Sequence, residues 1–419
     1  MNTIGDIIQG RAGHMLPGGE VPVRVEGETI LVSNAVPGDL LDVRVIDKRR
    51  GVYRGEISAV IEASAERVAP PCPVANLCGG CALQFISPAR QAEVKSDWVR
   101  HAFRDVIGVE TDFIAIRSEQ AIYRRRVRWF VGCDDNGNFL GFYVQATHDA
   151  VRHDHCMVLT PELNALRALI ESDLSLVNVQ SVQAVQLSDG IHVILETSCA
   201  PMIDIESVAG LALQWWWRDD RQITRPLKKP VTPFHDLLPA GPSNIALTVG
   251  PDDFVQGQKE GNQALIAQIQ QWAGPVKRVA DLFCGIGNLS LPLAAATGAS
   301  VFGAELNAAS VRAAAANAGT LKLNAQFEVA NLFESFALEP YIGADLLILD
   351  PPRRGAKRIC NQISRLLPKK IIMISCDPAA GARDGELLKQ QGYRMQALRA
   401  LDLFPCAGHV EAMSLWMKP

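Results

Sequence analysis

Three groups of residues in this sequence have types and spacings that can do chemistry. Asp281-Leu-Phe-Cys-Gly-Ile-Gly-Asn288 is a glycine-bearing loop. Asp350-Pro-Pro-Arg353, Ile374-Ser-Cys-Asp-Pro378 and Gly408-His-Val-Glu411 set a carboxylate, a thiol and a second carboxylate beside apolar runs. Cys72-x5-Cys78-x2-Cys81, with Cys156 further on in His153-Asp-His-Cys156, gathers four thiols. Cys376 follows an apolar run and opens a helical stretch, where the helix dipole favours a thiolate. A thiolate that adds at C6 of a uracil makes an enolate whose C5 can attack a methyl group on a sulfonium. A base must then take the C5 proton so that the thiolate can leave. Cys376 suits the nucleophile and Glu411 is the best candidate base, although a glutamate in a strand can equally be a solvent-facing residue.

The loop at Asp281 sits where a strand turns into a helix, and Gly285 and Gly287 let the backbone turn tightly and approach a ligand. Glu305 closes the next strand, where a carboxylate can accept from two ribose hydroxyls. A dinucleotide site would want a third glycine, but that position is Ser290. S-adenosylmethionine is the better match, with Asn331 near the adenine; a ligand-free α/β layer is the plain alternative. The four thiolates suit either zinc or an iron-sulfur cluster, and spacing alone does not separate them. A radical S-adenosylmethionine cluster would need C-x3-C-x2-C, which Cys72 and Cys78 do not provide.

These residues need elements to hold them. From Val21 to Ile61 short alternating runs punctuated by Gly27, Pro37, Gly38 and Gly51 predict a small antiparallel β-barrel, OB-like, for which a structural role and an RNA-binding role are equally good readings. A helix is predicted over Pro88 to Phe103. The stretch to Val255 reads as an α+β middle domain, with strands at Val127 to Val131, Phe139 to Val144 and Ile191 to Glu196 and a helix near Glu162 to Ser172. Trp215, Trp216 and Trp217 cannot all face one way, and core packing is the better use for them than base stacking. From Gly274 onward β and α runs alternate, which predicts a doubly wound, Rossmann-like parallel sheet, and the end of the chain suits the hairpin that closes the sheet of a class I methyltransferase domain. Arg394 to Asp402 and Val410 to Trp416 then close it as an antiparallel hairpin. The expected boundaries are 1–65, 66–255 and 256–419.

With 419 residues, 48% hydrophobic and 21% charged, the chain is long enough for two or three globular domains. Its first residues carry Asp6 and no apolar run, and the longest apolar candidate, Val279 to Leu306, is broken by Asp281, Asn288 and Glu305. No secretory signal or membrane span is expected, and the expected location is the cytoplasm. Ten cysteines there point to metal or catalysis rather than disulfides. Cys133, Cys199, Cys284, Cys360 and Cys406 take no part in these motifs and are expected to be small buried residues. A net charge of −4 does not advertise a nucleic-acid binder. Basic residues do cluster, at Arg124, Arg125, Arg126 and Arg128 and at Arg353, Arg354, Lys357 and Arg358, where a solvated face and a phosphate track are the two readings.

Taken with Leu349-Asp-Pro-Pro-Arg-Arg-Gly355, Ser375-Cys-Asp-Pro-Ala379, Ala382-Arg-Asp384, Leu403-Phe-Pro405 and His409-Val-Glu411, the sequence resembles the RNA uracil-C5 methyltransferase family. The resemblance spans essentially the whole chain, because that family has an N-terminal TRAM barrel and a middle RNA-contacting domain. It implies that Cys376 is the nucleophile, that Glu411 is the base, and that Gln256, Phe283, Asn288, Glu305, Asn331 and Asp350, together with Gly285 of the loop, hold S-adenosylmethionine. It also implies that Cys72, Cys78, Cys81 and Cys156 ligate a 4Fe-4S cluster, as in the rRNA-modifying branch, so that the partner would be 23S rRNA and the enzyme a monomer. The tRNA-modifying branch typically lacks both cluster and barrel. Two positions depart from the family: Asp377 replaces the usual Asn, and Phe254-Val-Gln-Gly-Gln258 replaces F-x-Q-x-N. Cytosine enzymes are the near competitor, but they carry a second Cys in the Asp350-Pro-Pro-Arg353 motif. A non-catalytic RNA-binding factor that kept the fold is the rival from another class.

Overall fold

The computed structural model of the chain describes residues 3–25, 27–108, 111–117, 122–145, 147–334 and 336–418. The alternating N-terminal pattern builds β1 (Ile7–Arg11), β2 (Val21–Val25), β3 (Glu28–Val32), β4 (Leu40–Arg49) and β5 (Val52–Glu62). They pair in the order β1-β4-β5-β3-β2. The two edges meet where Ala12 bridges Val23 and the Gly13 amide donates to the Pro22 carbonyl at 2.8 Å. The sheet is therefore closed, as a barrel requires. Its interior leaves no room at Gly55, where a Cβ would lie 2.3 Å from Val43.

Helix α1 (Pro88–Ala102) starts at Ser87, whose side chain accepts from the Arg90 amide, and has Pro88 in its first turn. β6 (Asp112–Arg117) follows. A second sheet comprises β7 (Arg126–Asp134), β8 (Gly137–Tyr143), β9 (Ala150–Val151), β10 (Val179–Gln186), β11 (Gly190–Thr197), β12 (Ser207–Val208) and β13 (Leu211–Arg218), ordered β12-β13-β11-β10-β7-β8-β9, with β14 (Thr224–Pro226) beside β13. α2 (Pro161–Asp173) buries Leu163, Leu166 and Ile170 against Trp129 and Val193 of this sheet. Trp215 and Trp216 are buried, and their indole N–H groups donate to the Ile205 carbonyl at 2.6 Å and to His192 Nδ1 at 3.0 Å. Core packing is thus the use of at least these two.

A hairpin of β15 (Phe234–Ala240) and β16 (Ser243–Val249) leads into the last unit. Its elements are α3 (Lys259–Ala273), β17 (Arg278–Leu282), α4 (Ser290–Thr297), β18 (Ser300–Glu305), α5 (Ala308–Thr320), β19 (Ala325–Val329), β20 (Leu346–Leu349), α6 (Lys357–Asn361), α7 (Ile363–Leu366), β21 (Lys370–Ser375), α8 (Pro378–Gln390), β22 (Arg394–Asp402) and β23 (Glu411–Met417). The sheet runs β19-β18-β17-β20-β21-β23-β22-β6. β20, Leu-Leu-Ile-Leu, is buried throughout, as a central parallel strand must be. The first five strands are parallel, and β23 lies antiparallel to both β21 and β22.

Two details differ from the sequence reading. The α run that the alternation calls for between β20 and β21 is two short helices, because Gln362 leaves helical geometry at φ −103°, ψ 7°. β6, from the stretch read as a middle domain, pairs in parallel with β22 and so extends the last sheet. Among the described residues no helix is long and apolar enough to cross a membrane.

Candidate active site

β17 ends in the loop that the glycines predict. The chain passes through positive φ at Phe283 (71°), Gly285 (53°) and Gly287 (83°) before α4 begins. The Phe283 and Cys284 amides both donate to the Ala304 carbonyl, at 2.9 and 3.1 Å, so the turn is tied to β18. Nothing lies within 4 Å of where a Gly285 Cβ would be, which leaves that side of the loop open. Glu305, at the end of β18, accepts from the Gly285 amide at 3.4 Å and from the Asn307 amide at 2.8 Å. Asn331 follows β19, with its Oδ1 accepting from the Phe333 amide at 3.1 Å. The Phe283 and Phe333 rings are 5.3 Å apart, and the Arg354 guanidinium lies 3.1 Å over Phe333.

Asn288 is held by a residue that the sequence reading did not single out. The buried Asn262 of α3 exchanges two hydrogen bonds with it, at 2.9 and 2.8 Å. The available signal was an amide on the apolar face of a helix, where burial demands a partner. Asp281 and Asp350 end the adjacent strands β17 and β20. Burial pushes Asp281 up to about 7, with Glu305 adding to the effect against Ser290. Burial, followed by the charge of Asp281, pushes Asp350 up to about 7. A cationic ligand here would favour both carboxylates.

Cys376 and Glu411 come from different strands and meet through register. β21 and β23 pair antiparallel with Ser375 opposite Ala412. One step further places Cys376 opposite Glu411, and directly opposed residues share a face, with Cβ atoms roughly 5 Å apart. Burial, then Glu411 and Asp350, pushes the Cys376 thiol up to about 11, while Arg353 opposes them. This reverses the direction expected from a helix dipole. Burial and the two carboxylates outweigh the dipole, and the first turn of α8 is capped by Asp377, whose Oδ1 accepts from the Ala379 and Ala380 amides at 3.0 and 3.2 Å. Glu411 is 8% exposed; burial first and Asp350 second push it up to about 8, again against Arg353.

The loop that leads into Glu411 is anchored from several sides. Buried Lys95 of α1 donates to Asp402 at 2.6 Å and to the Phe404 carbonyl at 2.7 Å. Gln91 accepts from the Cys406 amide at 2.8 Å, Leu83 donates to the Cys406 carbonyl at 2.8 Å, and Tyr123 donates to the Pro405 carbonyl at 3.1 Å. Gly408 lies so close to the barrel that a Cβ there would be 2.4 Å from the Gly18 carbonyl oxygen. Gln256 lies on the segment before α3, and its carbonyl accepts from Arg125 Nε at 3.0 Å. That segment abuts the same loop, since a Cβ at Gly257 would be 3.3 Å from Phe404.

The two basic clusters resolve differently. Arg125 is buried and donates to both oxygens of Asp236, at 2.7 and 2.8 Å, so it is neither solvated nor free for phosphate. Arg353, Arg354 and Lys357 are exposed beside the cofactor loop and the nucleophile. Cys72, Cys78, Cys81 and Cys156 are half-buried. Cys78 feels the charges of Cys156 and Cys72, while Cys81 feels those of Cys406 and Cys156 and is pushed up to about 12 by burial. The four thiols therefore occupy one neighbourhood. Among the described residues no three His, Cys, Asp or Glu side chains converge closely enough for a single metal ion. Of the five remaining cysteines, Cys284 and Cys360 are buried as expected, and Cys406 is half-buried beside Cys81. Cys133 and Cys199 are exposed, because they lie at the β7–β8 turn and in the loop after β11.

Residues 255–370 match the family described as methyltransferase small domain. The chain is 33% identical to the 23S rRNA (uracil(1939)-C(5))-methyltransferase RlmD of Shewanella amazonensis, over 93% of this chain and 91% of that protein. It is 34% identical to the enzyme of the same name from Pseudomonas aeruginosa, over 93% and 89%. The fold matches that of the Pyrococcus abyssi tRNA (uracil-54, C5)-methyltransferase solved with S-adenosyl-L-homocysteine, with a TM-score of 0.76 at 21% identity, over 98% of this chain and 99% of the other. A protein named as a tRNA enzyme thus shares this fold along nearly its whole length, barrel region included, so the barrel does not separate rRNA from tRNA enzymes. The thiol, the opposed carboxylate, the glycine loop and the full-length likeness to these relatives agree, and the chain belongs to the S-adenosylmethionine-dependent RNA uracil-C5 methyltransferase family.

Proposed function

We propose that this chain methylates C5 of a uridine in 23S rRNA, with Cys376 as nucleophile and Glu411 as base. The register of β21 against β23 carries the reading, because it sets a thiol and a buried carboxylate on one face at the edge where ligands bind in such sheets. S-adenosylmethionine supplies the methyl group on a sulfonium. The residues fit it: Gly285 leaves open space, Glu305 offers a carboxylate to ribose hydroxyls, and Phe283, Asn331 and Phe333 stand together beyond the third strand. Asn288 stands just before α4 and Gln256 in the segment before α3, and Asp350 presents a half-buried carboxyl whose charge reaches Glu411. Cys376 adds to C6 of the uracil; once C5 is methylated, Glu411 takes the C5 proton and the C6–S bond breaks. A duplex buries C5 and C6, so the target uridine must be unpaired or flipped. The rRNA assignment leans on the names of the relatives, and a cytoplasmic location goes with such a substrate; the enzyme is proposed to act as a monomer. Methyl-labelled cofactor and 23S rRNA from cells lacking the gene should yield labelled 5-methyluridine. Label only in cytidine or only in tRNA would overturn the assignment.

The pH profile follows from the two raised groups. A thiol near 11 is almost wholly protonated at neutral pH, and a carboxyl near 8 is an effective base only once ionised. Both active forms therefore grow as pH rises. Turnover that needs both groups ionised is expected to climb between about pH 6.5 and 9, approaching a hundredfold per unit at the low end and about tenfold per unit above the Glu411 value. A rate flat across that range would count against the pair.

The middle unit, proposed as 66–255 between a barrel of 1–65 and a methyltransferase domain of 256–419, would carry a 4Fe-4S cluster on Cys72, Cys78, Cys81 and Cys156. The donor set suits it: four half-buried thiols in one neighbourhood. Such a cluster would pin the loop before α1 to the segment before α2. Anaerobically purified protein is expected to be brown and to contain iron and acid-labile sulfide. A colourless preparation with stoichiometric zinc would refute the cluster.

A further inference from the structure

A groove of about 640 Å³ runs along β7 and β8, lined by Arg124, Arg126, Arg128, Phe130, Tyr143 and Gln183 among others. Two features are unusual for a surface groove. The first is electrostatic. Arg125 and Arg128 on the same run have acidic partners, Asp236 and Glu196. Among the described residues neither Arg124 nor Arg126 has one, and both are partly buried. Burial with no compensating acid pushes Arg126 down. A guanidinium stripped of water and left without a counter-charge is costly, so an anion from outside the chain would be well received. The second is an aromatic stack: the Phe130 and Tyr143 rings lie face to face at 3.6 Å with 15° between planes, and the Arg128 guanidinium lies 5.2 Å from the Phe130 ring, so a base would continue the stack from an outer face of the pair.

The groove leads toward the reacting groups. The Arg125 amide donates to the Gly257 carbonyl at 2.9 Å, Arg124 bridges Gln258, and the Arg126 guanidinium lies 5.1 Å from the ring of Phe254, which is 61% exposed. Its other wall is the cysteine loop, where the Gly79 amide donates to the Tyr143 carbonyl at 3.1 Å. Cations without partners, stacked rings and the Gln183 amide match what single-stranded RNA presents: phosphate, a π-face and base edges. A protein partner would need carboxylates at two points and would not need the rings.

We propose that this groove holds an unpaired nucleotide adjacent in sequence to the target uridine, with its phosphate against Arg124 and Arg126 and its base on the Phe130 and Tyr143 rings. The proposal rests on the methyltransferase reading and names where that enzyme grips the RNA outside its reacting base. It also gives a use to an arginine run that net charge would not suggest.

The test uses the full-length wild-type protein and an rRNA fragment with 5-iodouridine in place of each nucleotide flanking the target. Irradiation should give a cross-link mapping to Tyr143 or Phe130. In parallel, Arg126→Gln and Tyr143→Ala should each weaken fragment binding about tenfold. The arginine change alone should flatten the slope of log affinity against log salt, by about 0.7, the share of a single neutralised phosphate on an unpaired strand. The KM for S-adenosylmethionine should stay unchanged in both. Cross-links confined to other residues, or variants with wild-type affinity and slope, would overturn the groove assignment while wild-type methylation continued. A wild-type protein that leaves the fragment unmethylated would instead overturn the function on which it rests.

Discussion

Replacing Cys376 with Ala is expected to lower methyl transfer by at least about 10⁴-fold, because a carbon that cannot be activated leaves no alternative route to the product. The substitution removes one half-buried sulfur and leaves the Asp377 cap and Pro378 of α8 in place, so the fold should survive. A second readout separates loss of chemistry from loss of structure. RNA carrying 5-fluorouridine at the target has no C5 proton to give up, and the wild-type enzyme should stay covalently attached to it through denaturing electrophoresis. The Cys376→Ala protein should bind that RNA and form no adduct. An adduct with the variant, or none with the wild type, would remove Cys376 from the mechanism.

Glu411→Gln should behave differently, and the difference tests the division of labour between the two residues. The amide keeps the shape of a side chain that is 8% exposed, and it cannot accept the C5 proton. Turnover is expected to fall about 10²- to 10⁴-fold, the usual worth of a positioned base. Addition and methyl transfer precede the step that is lost, so ordinary uridine RNA should now accumulate as a methylated covalent complex. Fast turnover without a trapped complex would move the base role to another group. Asp350 is the neighbour to test next, since its charge already acts on Glu411.

Much of the frame was legible because it is written in local signals. Ser87, Asn307 and Asp377 cap helices within three residues of themselves, and the Leu-Leu-Ile-Leu of β20 can only be a buried strand. The glycine loop and Glu305 come together because β17 and β18 are neighbours in a parallel sheet, a rule of topology that the alternating pattern already implies. Features that depend on a partner far along the chain were not legible. Asp-Phe-Ile-Ala-Ile-Arg reads as a strand, but nothing in it says that β6 will finish a sheet beginning more than 150 residues later. Arg125 looks like part of a basic stripe until Asp236 is seen beneath it, and Asn262 looks like helix filler until it meets Asn288. The Cys376 thiol was misjudged for a related reason. A dipole argument sees only the helix, whereas burial and two acids from other strands decide the proton.

The loop between β22 and β23 takes its shape from outside the domain that contains it. Its carbonyls and amides are met by α1 and by the cysteine loop, and its glycine at 408 rests on the barrel backbone at Gly18. The C-terminal unit is thus a catalytic domain in name but not in autonomy. Cut loose, it would lose β6 from the edge of its sheet and the contacts that fix where Glu411 stands, while the parallel strands that carry the glycine loop remain. The barrel and the cysteine loop belong to the inheritance of the active site, and a substitution at Gly18 should be felt as an enzymatic defect before it is felt as a weaker grip on RNA.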